Sequence, residues 1–392
     1  MYRGYKFRIY PNTEQAKRIW KNINGARFAY NWTIEQRNVM NSEGQRYQDT
    51  RSQLRDYFVK WKESSGKPWL TKRKISPSTN AFRNAIDDAN ETYDKHGRKS
   101  DFRRKKDHSD NTYKEEIAGK NYFQIGTSGF RLSKVGWVKA KVDTREFIGK
   151  KLKNIRISFD GLCYWCSFAV EFDNQDTTEK EKTAPIGIDL GLKTFAVCSN
   201  GWEFTSPSWE KDTELLKGLQ RQASRKYLRH PKNLKKKSKR LKKLEREILT
   251  IHRRISNRQT TFIHTLTKKL IDENPEHVTI EDIKFSEWSN DRHKRVTVSK
   301  SQFFEFRRQL TYKCERYGVG LKLAHKWFPS TQKCSGCGNV KRGSQKLQQS
   351  ERIYKCHCCG LVIDRDYNAS LNLAALYGTP QSLSGEPIRE IG

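Results

Sequence analysis

The feature that most constrains the fold of this chain is a doubled cysteine pattern near its carboxyl end. Cys334 and Cys337 form one C-x2-C pair, Cys356 and Cys359 form another, and each pair is followed by glycine. Four thiolates spaced in this way supply the tetrahedral ligand set of a structural zinc ion. Folding must therefore bring the two pairs together, and we predict a zinc ribbon over residues 331–360.

Neighbouring residues leave the second half of this pattern open to alternatives. His357 and Cys358 lie inside the second pair and are alternative ligands, but the C-x2-C-G pattern on both sides favours Cys359. Cys163 and Cys166 have the same spacing, yet they lack a partner pair and lie in a strand-like run, which is typical of packed thiols. A site closed by four thiolates is structural and not catalytic.

The charge of the chain predicts a nucleic-acid partner. Lys and Arg number 78 against 44 Asp and Glu, which gives a formal net charge of +34. So much positive charge repels itself unless a polyanion neutralises it. No stretch approaches the ~20 apolar residues of a membrane-spanning helix, and the N-terminal sequence lacks the apolar core of a signal peptide. We therefore expect a soluble intracellular protein with no membrane partner.

The period of the apolar residues changes along the N-terminal part of the chain. Residues 2–10 alternate as in a strand, whereas apolar residues recur at helical spacing over 14–40 and again over 81–93. Alternation returns over 122–172, in runs separated by Gly and Asp turns. This order predicts an antiparallel barrel or sheet that includes the first strand and carries a helical insertion. The polar residues 173–183 are typical of a linker.

The C-terminal part has an α/β order. From Pro185 the sequence IGIDLGLKTFAVCSN predicts two buried strands around a glycine turn, and a long basic helical region follows over 213–274. The strand HVTIED, a helix over 300–317, the strand LKLAHK, the cysteine cluster and a helix over 367–377 complete the order. The zinc module is thus inserted near the end of an α/β unit.

Three carboxylates occupy the ends of these elements. Asp189 ends the strand IGID, Glu281 ends the strand VTIE, and Asp366 precedes the last helix, where it is a candidate N-cap. Each alone also fits a turn, a strand end or a cap, but ligands in α/β sheets gather at strand ends. Cleavage of a phosphodiester by two Mg²⁺ ions about 3.5–4 Å apart requires several converging carboxylates. Asp282 and Asp364 are the neighbouring alternatives.

In this order, the motifs resemble the split RuvC nuclease of the TnpB proteins of insertion sequences and of the related type V CRISPR effectors. The matching segments are GIDLGLKTFAV, IEDIK, the two cysteine pairs and DRDYNASLNL, and the N-terminal YKFRIYPNTEQ, GARFAYN and KVGWVK are also similar to TnpB. The resemblance implies an α/β plus β-barrel fold. Its implied domains are a wedge β-barrel (1–12 and 120–183), a helical recognition domain (13–119), an RNase H-like RuvC nuclease domain (184–330 and 361–392) and the zinc-ribbon insertion (331–360).

The resemblance also implies an activity, which is RNA-guided cleavage of DNA next to a short flanking motif, leaving 5′-phosphates. Carried over to this sequence, the catalytic residues that bind two Mg²⁺ ions are Asp189, Glu281 and Asp366, and one Zn²⁺ binds the four cysteines of the two pairs. The implied partners are a guide RNA and a double-stranded DNA target, in a monomeric ribonucleoprotein associated with the nucleoid in the prokaryotic cytoplasm.

Three other functions are compatible with parts of this pattern. A nuclease-inactive RNA-guided DNA-binding repressor is one, although all three acidic positions are intact. A compact type V CRISPR effector is another, and the short chain favours an insertion-sequence nuclease over it. A transposase that joins DNA strands directly is the third, but the sequence shows no clear helix-turn-helix signal.

Two basic stretches and one polar helix start are the predicted nucleic-acid contacts. Between Lys217 and Arg258 there are seventeen Lys or Arg and two acids, so this region predicts phosphate contacts that do not read sequence. A second patch surrounds Phe102, whose ring can stack on an exposed base. Side chains near residue 80 are the expected readers of the flanking motif. The predicted contact residues are Thr79, Asn80, Arg83, Arg103, Arg104, Lys235, Lys236, Lys237 and Arg240.

Overall fold

A computed structural model describes residues 2–43, 50–72, 76–97, 100–105, 108–117, 122–171, 181–191, 194–229, 237–282, 300–325, 327–348, 350–377 and 389–390. The chain divides into two compact units, Met1–Asp173 and Asn174–Gly392. Most of the predicted linker, 172–180, lies outside the described residues.

The first unit is built on a seven-stranded antiparallel sheet. Its strands are β1 (Tyr2–Tyr10), β2 (Thr112–Lys114), β3 (Gln124–Ile125), β4 (Gly129–Leu132), β5 (Gly136–Ala140), β6 (Leu152–Phe159) and β7 (Tyr164–Glu171). Their order is β2-β6-β7-β1-β5-β4-β3. Since β1 pairs with both β7 and β5, the prediction that the first strand joins the later ones is confirmed. Closure of this sheet into a barrel stays a prediction.

The inner face of this sheet forms an aromatic core. Tyr5 and Phe7 alternate inward along β1 and contact Phe147, with ring centroids 4.6 and 5.4 Å away. Phe7 also lies 5.6 Å from Phe130 and 5.5 Å from Phe168. The other face of the sheet is therefore left for polar and charged side chains.

The helices of the first unit follow the predicted order. They are α1 (Thr13–Ser42), α2 (Thr50–Ser64), α3 (Pro68–Thr71) and α4 (Thr79–His96). The predicted start of α1 is confirmed by a capping box, in which Asn12 Oδ1 accepts from the Gln15 amide and Gln15 Oε1 accepts from the Asn12 amide. Residues 112–114, inside the stretch expected to be helical, instead form β2, where Thr112 Oγ1 donates to the carbonyl of Ile157.

The second unit has the predicted α/β order. Its strands are β8 (Ile186–Leu190), β9 (Ala196–Cys198), β10 (Glu203–Phe204), β11 (His277–Glu281), β12 (Gly320–Ala324), β13 (Ile353–Lys355), β14 (Val362–Asp364) and β15 (Arg389–Glu390). Its helices are α5 (Glu210–Arg229), α6 (Lys239–Asp272), α7 (Lys300–Tyr317) and α8 (Arg365–Ala374).

Six of these strands form one mixed sheet, and β13 pairs with β14 in a separate hairpin. The order of the sheet is β10-β9-β8-β11-β12-β15, in which β8, β11 and β12 run parallel. Every residue of β8 is buried, so both faces of this strand are covered by other parts of the protein. This explains why the sequence of the strand is a continuous apolar run. Within the described helices we find no apolar stretch that would reach across a lipid bilayer.

Candidate functional site

Two of the predicted carboxylates lie side by side at the ends of parallel strands. The register of β8 and β11 places Ile280 beside Ile188, so the next residues, Asp189 and Glu281, occupy equivalent positions. Neighbouring strands are about 4.8 Å apart, and equivalent positions face the same side of a sheet. Asp189 is 8% exposed, while Glu281 is partly exposed. The two side chains thus lie together at the carboxyl ends of two adjacent central strands, which is where the sequence predicted them.

Asp366, the third carboxylate, lies near the same strand ends because β8 packs very closely against α8. A methyl group on Gly187 would lie 2.0 Å from the carbonyl oxygen of Ser370 and 2.3 Å from the amide nitrogen of Ala374. Asp189 faces the same side as Gly187, two residues earlier in the strand. Asp366 lies one helical turn before Ser370, in the first turn of α8. Glycine at position 187 therefore allows the helix that carries Asp366 to approach the strand that carries Asp189.

We expect Gly187→Ala to destabilise the protein by about 2 kcal/mol or more, because the added methyl group would overlap backbone atoms that cannot rotate away. The matched control is Gly218→Ala in α5, where an added methyl group meets nothing within 4 Å. That change should stabilise the protein by roughly 1 kcal/mol, since alanine is the better helix former. Urea denaturation measures both effects. Equal stability of the two variants would contradict the close approach of β8 and α8.

The helix start that carries Asp366 differs from the prediction. Asp364, and not Asp366, is the N-cap of α8, and the prediction that Asp366 caps this helix is wrong. The Asp364 carboxylate accepts from the amides of Asp366 and Tyr367 at 2.8 and 2.9 Å. Asp366 itself is free of the capping role and its carboxylate pairs with Arg352 at 3.3 Å. The structure therefore gives the two neighbouring acids different tasks.

The other neighbouring acid is also engaged elsewhere. Asp282 follows Glu281 and forms an ion pair with Arg307 of α7 at 2.7 Å, and its amide donates to the carbonyl of Ala324. Glu281 accepts a hydrogen bond from the hydroxyl of Ser330, a residue that the sequence did not indicate. Asp282 thus ties α7 to the end of β11, which leaves Glu281 beside Asp189.

The other two carboxylates act on Asp189 electrostatically. Burial, and then the charges of Glu281 and Asp366, raise the pKa of Asp189 to about 8, against the opposing effect of Arg365. Such mutual repulsion places negative potential where a cation would be stabilised. The four cysteine sulfurs lie within 4.8 Å of one another. Within the described part of the chain, the oxygens of the three carboxylates do not meet this distance.

The cysteine cluster has the dimensions of a zinc site. The Sγ atoms of Cys334 and Cys359 are 3.6 Å apart, as are those of Cys337 and Cys356. A tetrahedron with Zn–S bonds of about 2.3 Å has edges of about 3.8 Å. A disulfide would bring two sulfurs to about 2.05 Å. The four thiols therefore fit one zinc ion, as predicted.

The two knuckles repeat the same backbone pattern. The amide of Gly338 donates to the carbonyl of Cys334, and that of Gly360 donates to Cys356, at 2.9 and 3.1 Å. Both glycines have positive φ, 77° and 75°, which explains why glycine follows each pair. Cys358 lies outside the cluster. Amide groups of Cys359 and Cys358 lower the pKa of Cys356 to about 6, whereas desolvation and hydrogen bonds from the neighbouring thiols raise the pKa of Cys337 to about 12.

Buried amide side chains join the zinc module to α8. The Nδ2 atoms of Asn368 and Asn372 both donate to the carbonyl of Lys333, each at 2.7 Å, and Asn372 also donates to that of Ser330. The amide of Ser335 donates to Asn368 Oδ1 at 2.9 Å. At its other end, the module leads through β14 directly into α8. Asn368 and Asn372 belong to the motif DRDYNASLNL, which carries the family resemblance. Their hydrogen bonds could not be predicted from it, because the partners are distant in the chain.

The predicted flanking-motif residues divide between surface and core. Thr79 and Arg83 are exposed on α4 and line a cavity of about 330 Å³ together with residues of α2. Asn80 is 5% exposed, so its side chain is not placed to contact a base. The helical pattern of the sequence could not show whether Asn80 lies on the buried or the exposed face of α4, because asparagine is compatible with either.

The predicted basic residues also divide. Arg103 stacks on Tyr30 at 3.9 Å and pairs with Asp88 at 3.3 Å, whereas Arg104 is exposed. Arg240 is exposed at the start of α6, and the exposed Lys237 pairs with Glu245. Lys235 and Lys236 lie outside the described residues. Arg103 therefore stabilises the first unit, while Arg104 and Arg240 remain accessible to phosphates.

The outer face of the seven-stranded sheet is a cationic surface that sequence reasoning missed. Arg8 lies beside Trp165 in the register, Tyr10 lies beside Lys139, and cations cover rings, for example Lys6 over Trp165 at 4.7 Å. The signal was present as Lys, Arg or an aromatic residue at every second position of several strands. We name this surface the outer sheet face, and its cations and rings are Lys6, Arg8, Tyr10, Arg131, Trp137, Lys139, Arg156 and Trp165.

Three family models match segments of the chain. A model described as "Probable transposase" (OrfB, IS605) matches residues 167–290, and one described as "Cas12f1-like, TNB domain" matches 303–373. A model described as a helix-turn-helix domain of the same OrfB group matches 1–46. Over the described residues 2–43, however, the chain forms one strand and one continuous helix, not two helices joined by a turn.

Named relatives cover the chain to different extents. A Streptomyces pristinaespiralis protein that is named as an RNA-guided DNA endonuclease is 28% identical over 99% of this chain and 92% of its own. A similarly named Mycobacterium tuberculosis protein is 29% identical over 51% of this chain and 43% of its own. A TnpB-like protein of Acanthamoeba polyphaga mimivirus is 30% identical over 35% and 26%, respectively.

A solved structure shares the fold. The Cas12f1 chain of a cryo-electron-microscopy complex with sgRNA and target DNA gives a TM-score of 0.56 at 12% sequence identity. The match covers 95% of this chain and 98% of that one. The similarity in fold thus extends over both units of the chain.

Proposed function

The chain belongs to the TnpB family, and from that premise we propose that it is an RNA-guided DNA endonuclease that cuts target DNA next to a short flanking motif by Mg²⁺-dependent hydrolysis. The observation that carries this proposal is that Asp189, Glu281 and Asp366, from three distant segments, lie near one another at the carboxyl ends of two adjacent strands. A relative that bears this name and spans nearly the whole chain supports the guided activity.

Asp189, Glu281 and Asp366 would hold two Mg²⁺ ions. When bound, the ions would activate water and stabilise the leaving oxygen of the phosphodiester. The donor set fits, because Mg²⁺ prefers carboxylate oxygens and because a divalent cation offsets the burial and the repulsion that raise the pKa of Asp189. Ser330 orients Glu281 through its hydroxyl, and Arg352 holds the carboxylate of Asp366.

The domain assignment follows from the same premise. Residues 184–330 and 361–392 form the RuvC-like nuclease domain, with the zinc ribbon over 331–360. Residues 1–12 and 120–183, joined by the strand β2, form the wedge barrel, and the rest of 13–119 forms the recognition domain. The mixed sheet order of the second unit and the antiparallel sheet of the first support these assignments.

The nucleic acids would contact three described surfaces. The outer sheet face and the exposed cations at the start of α6 offer phosphate contacts, and the rings of the outer sheet face offer stacking for guide-RNA bases. Thr79 and Arg83, at the cavity between α2 and α4, are the proposed readers of the flanking motif. Since each chain carries all three carboxylates, one chain per ribonucleoprotein is sufficient for one catalytic centre.

The test is to express the protein with its native flanking DNA and to sequence the RNA that copurifies. The complex is then incubated with plasmids that carry the matching target beside randomised flanks, with and without Mg²⁺. We expect cutting that requires guide, target and Mg²⁺ and that selects one short motif. RNA and DNA binding without cutting would support the repressor instead. Cutting at element ends without RNA would support the direct transposase.

A further inference from the structure

The turn that joins β4 to β5 contacts the segment that leads into α4. Lys134 Nζ, in this turn, donates to the carbonyl of Ser76 at 3.3 Å, to its hydroxyl at 3.0 Å and to the carbonyl of Pro77 at 3.0 Å. An ammonium group carries three N–H donors, so three acceptors match its capacity. Ser78, the next residue of the segment, is the N-cap of α4. The lysine therefore ties the entry of this helix to the turn.

The turn itself is fixed by buried contacts. The amide and the hydroxyl of Ser133 donate to the carboxyl group of Glu115, next to β2, at 3.0 and 2.5 Å, and both residues are buried. Lys134 has a φ of 58°, a conformation that residues other than glycine rarely adopt. Such a backbone persists where the surrounding contacts determine it. The sheet thus sets the position from which Lys134 reaches the entry of α4.

A second contact joins the turn to the entry of α4 through α1. The side chain of Asn22, which is buried, donates to the carbonyl of Ser133 at 3.4 Å and accepts from the amide of Ser78 at 2.9 Å. One turn further along α1, a methyl group added to Gly25 would lie 2.4 Å from the Cγ atom of Pro77. Contacts from the turn and from α1 together determine where α4 begins.

The start of α4 also carries the proposed readers of the flanking motif. Thr79 and Arg83 lie one helical turn apart and are both exposed at the cavity of α2 and α4. Side chains discriminate between bases only while hydrogen-bonding geometry to the base edge is maintained. A reader displaced by about 1 Å would lose much of its preference for the correct base.

We propose that Lys134 is a positioning residue for selection of the flanking motif, and that it acts by holding the first turn of α4 at one place. This inference rests on the proposed function, in which Thr79 and Arg83 read the motif. An exposed lysine is also compatible with a phosphate contact, which carries no sequence information. The three oxygens around its Nζ atom favour the positioning role.

The variant Lys134→Gly tests this role without disrupting the turn. It removes the amine, and glycine adopts the positive φ of this position without strain. Single-turnover cleavage by the guide-loaded protein is measured on two targets, one beside the flanking motif that the wild type prefers and one beside the same motif with one base changed. We expect the ratio of the two rates to fall about tenfold, mainly through slower cutting beside the preferred motif.

The matched control is Asn154→Gly, which removes an exposed side chain from another position of positive φ, 54°, in β6. This variant should keep the wild-type ratio. A purely structural role of Lys134, or a phosphate contact, would slow cutting beside both flanks by the same factor, and that result would overturn the inference. Unchanged rates for Lys134→Gly on both targets would also overturn it.

Hydrogen exchange provides a readout that requires neither guide nor DNA. The amide of Ala81 donates to Ser78 Oγ at 3.2 Å in the first turn of α4. It should exchange about fivefold faster or more in Lys134→Gly, and at the wild-type rate in Asn154→Gly. Unchanged exchange in Lys134→Gly would overturn the positioning role. If the loaded wild type cut no DNA, the endonuclease function would fail and motif selection with it, while faster exchange would still show that Lys134 holds α4.

Discussion

Asp189→Asn is expected to reduce guided DNA cleavage on the order of 1,000-fold or more, with the amount of copurifying RNA unchanged. The substitution keeps the size of the side chain but removes one of the three carboxyl groups, the one at the end of β8 between Glu281 and α8. Carboxylate charge is what a Mg²⁺ pair requires, so the loss should appear in the chemical step. Single-turnover cleavage with saturating guide complex measures it.

The control for this substitution is Asp282→Asn. Asp282 is as close to the strand end in sequence as Glu281, but its carboxylate pairs with Arg307. We expect it to lower cleavage less than tenfold and to reduce stability modestly, because a partly exposed ion pair contributes only about 1 kcal/mol. Equal losses from Asp282→Asn and Asp189→Asn would contradict the assignment of Glu281 as the ligand.

The same Asp189 variant has a second readout that does not depend on activity. In metal-free buffer, burial first, and then the neighbouring carboxylates, raise the pKa of Asp189 to about 8, from an ordinary value of 3.8. The folded state therefore binds a proton that the unfolded state releases, and wild-type stability falls as the pH rises from about 4 to 8. Asp189→Asn should lack this component of the fall. Its melting temperature should exceed that of the wild type at pH 8 in Mg²⁺-free buffer that leaves the zinc in place, and added Mg²⁺ should reverse the order.

Sequence alone predicted the parts of this site that depend on residue type and spacing. The cysteine cluster was predictable because the C-x2-C-G pattern occurs twice, and the two alternatives inside the second pair, His357 and Cys358, are not part of the cluster. Asp189 and Glu281 were predictable because strand ends could be located from short apolar runs bounded by polar residues. These inferences required no knowledge of which strands are neighbours.

What the sequence could not predict depends on the rotation or the pairing of elements. Asp364 and Asp366 are two residues apart, and the choice of N-cap depends on where α8 begins, which a pattern locates only to within one or two residues. Asn80 and Arg103 are polar, but the packing of α4 and a stack on Tyr30 turn them inward. The outer sheet face required the strand register, which links residues more than 100 positions apart.

Removing one zinc ligand is expected to impair cleavage strongly, although less than removing a carboxylate. Cys334→Ser should abolish zinc binding and loosen the ribbon, because structural zinc supplies much of the folding free energy of so small a module. The carbonyls of Lys333 and Ser330 would then lose their fixed positions against Asn368 and Asn372 of α8. We expect cleavage to fall about 100-fold, since displacement of a reacting group by 1 Å can have that effect.

Cys358→Ser is the matched control, because Cys358 is an exposed cysteine in the same knuckle and lies outside the sulfur cluster. It should keep one zinc per chain and a wild-type cleavage rate. Zinc content is measured by atomic absorption. The effect on α8 is followed through the free energy of unfolding of the second unit. Loss of zinc from Cys334→Ser with normal cleavage would mean that α8 keeps Asp366 in place without the ribbon. Loss of both would mean that the ribbon is a support of the carboxylate site, because it holds Ser330 against Glu281 at one end and leads into the helix of Asp366 at the other.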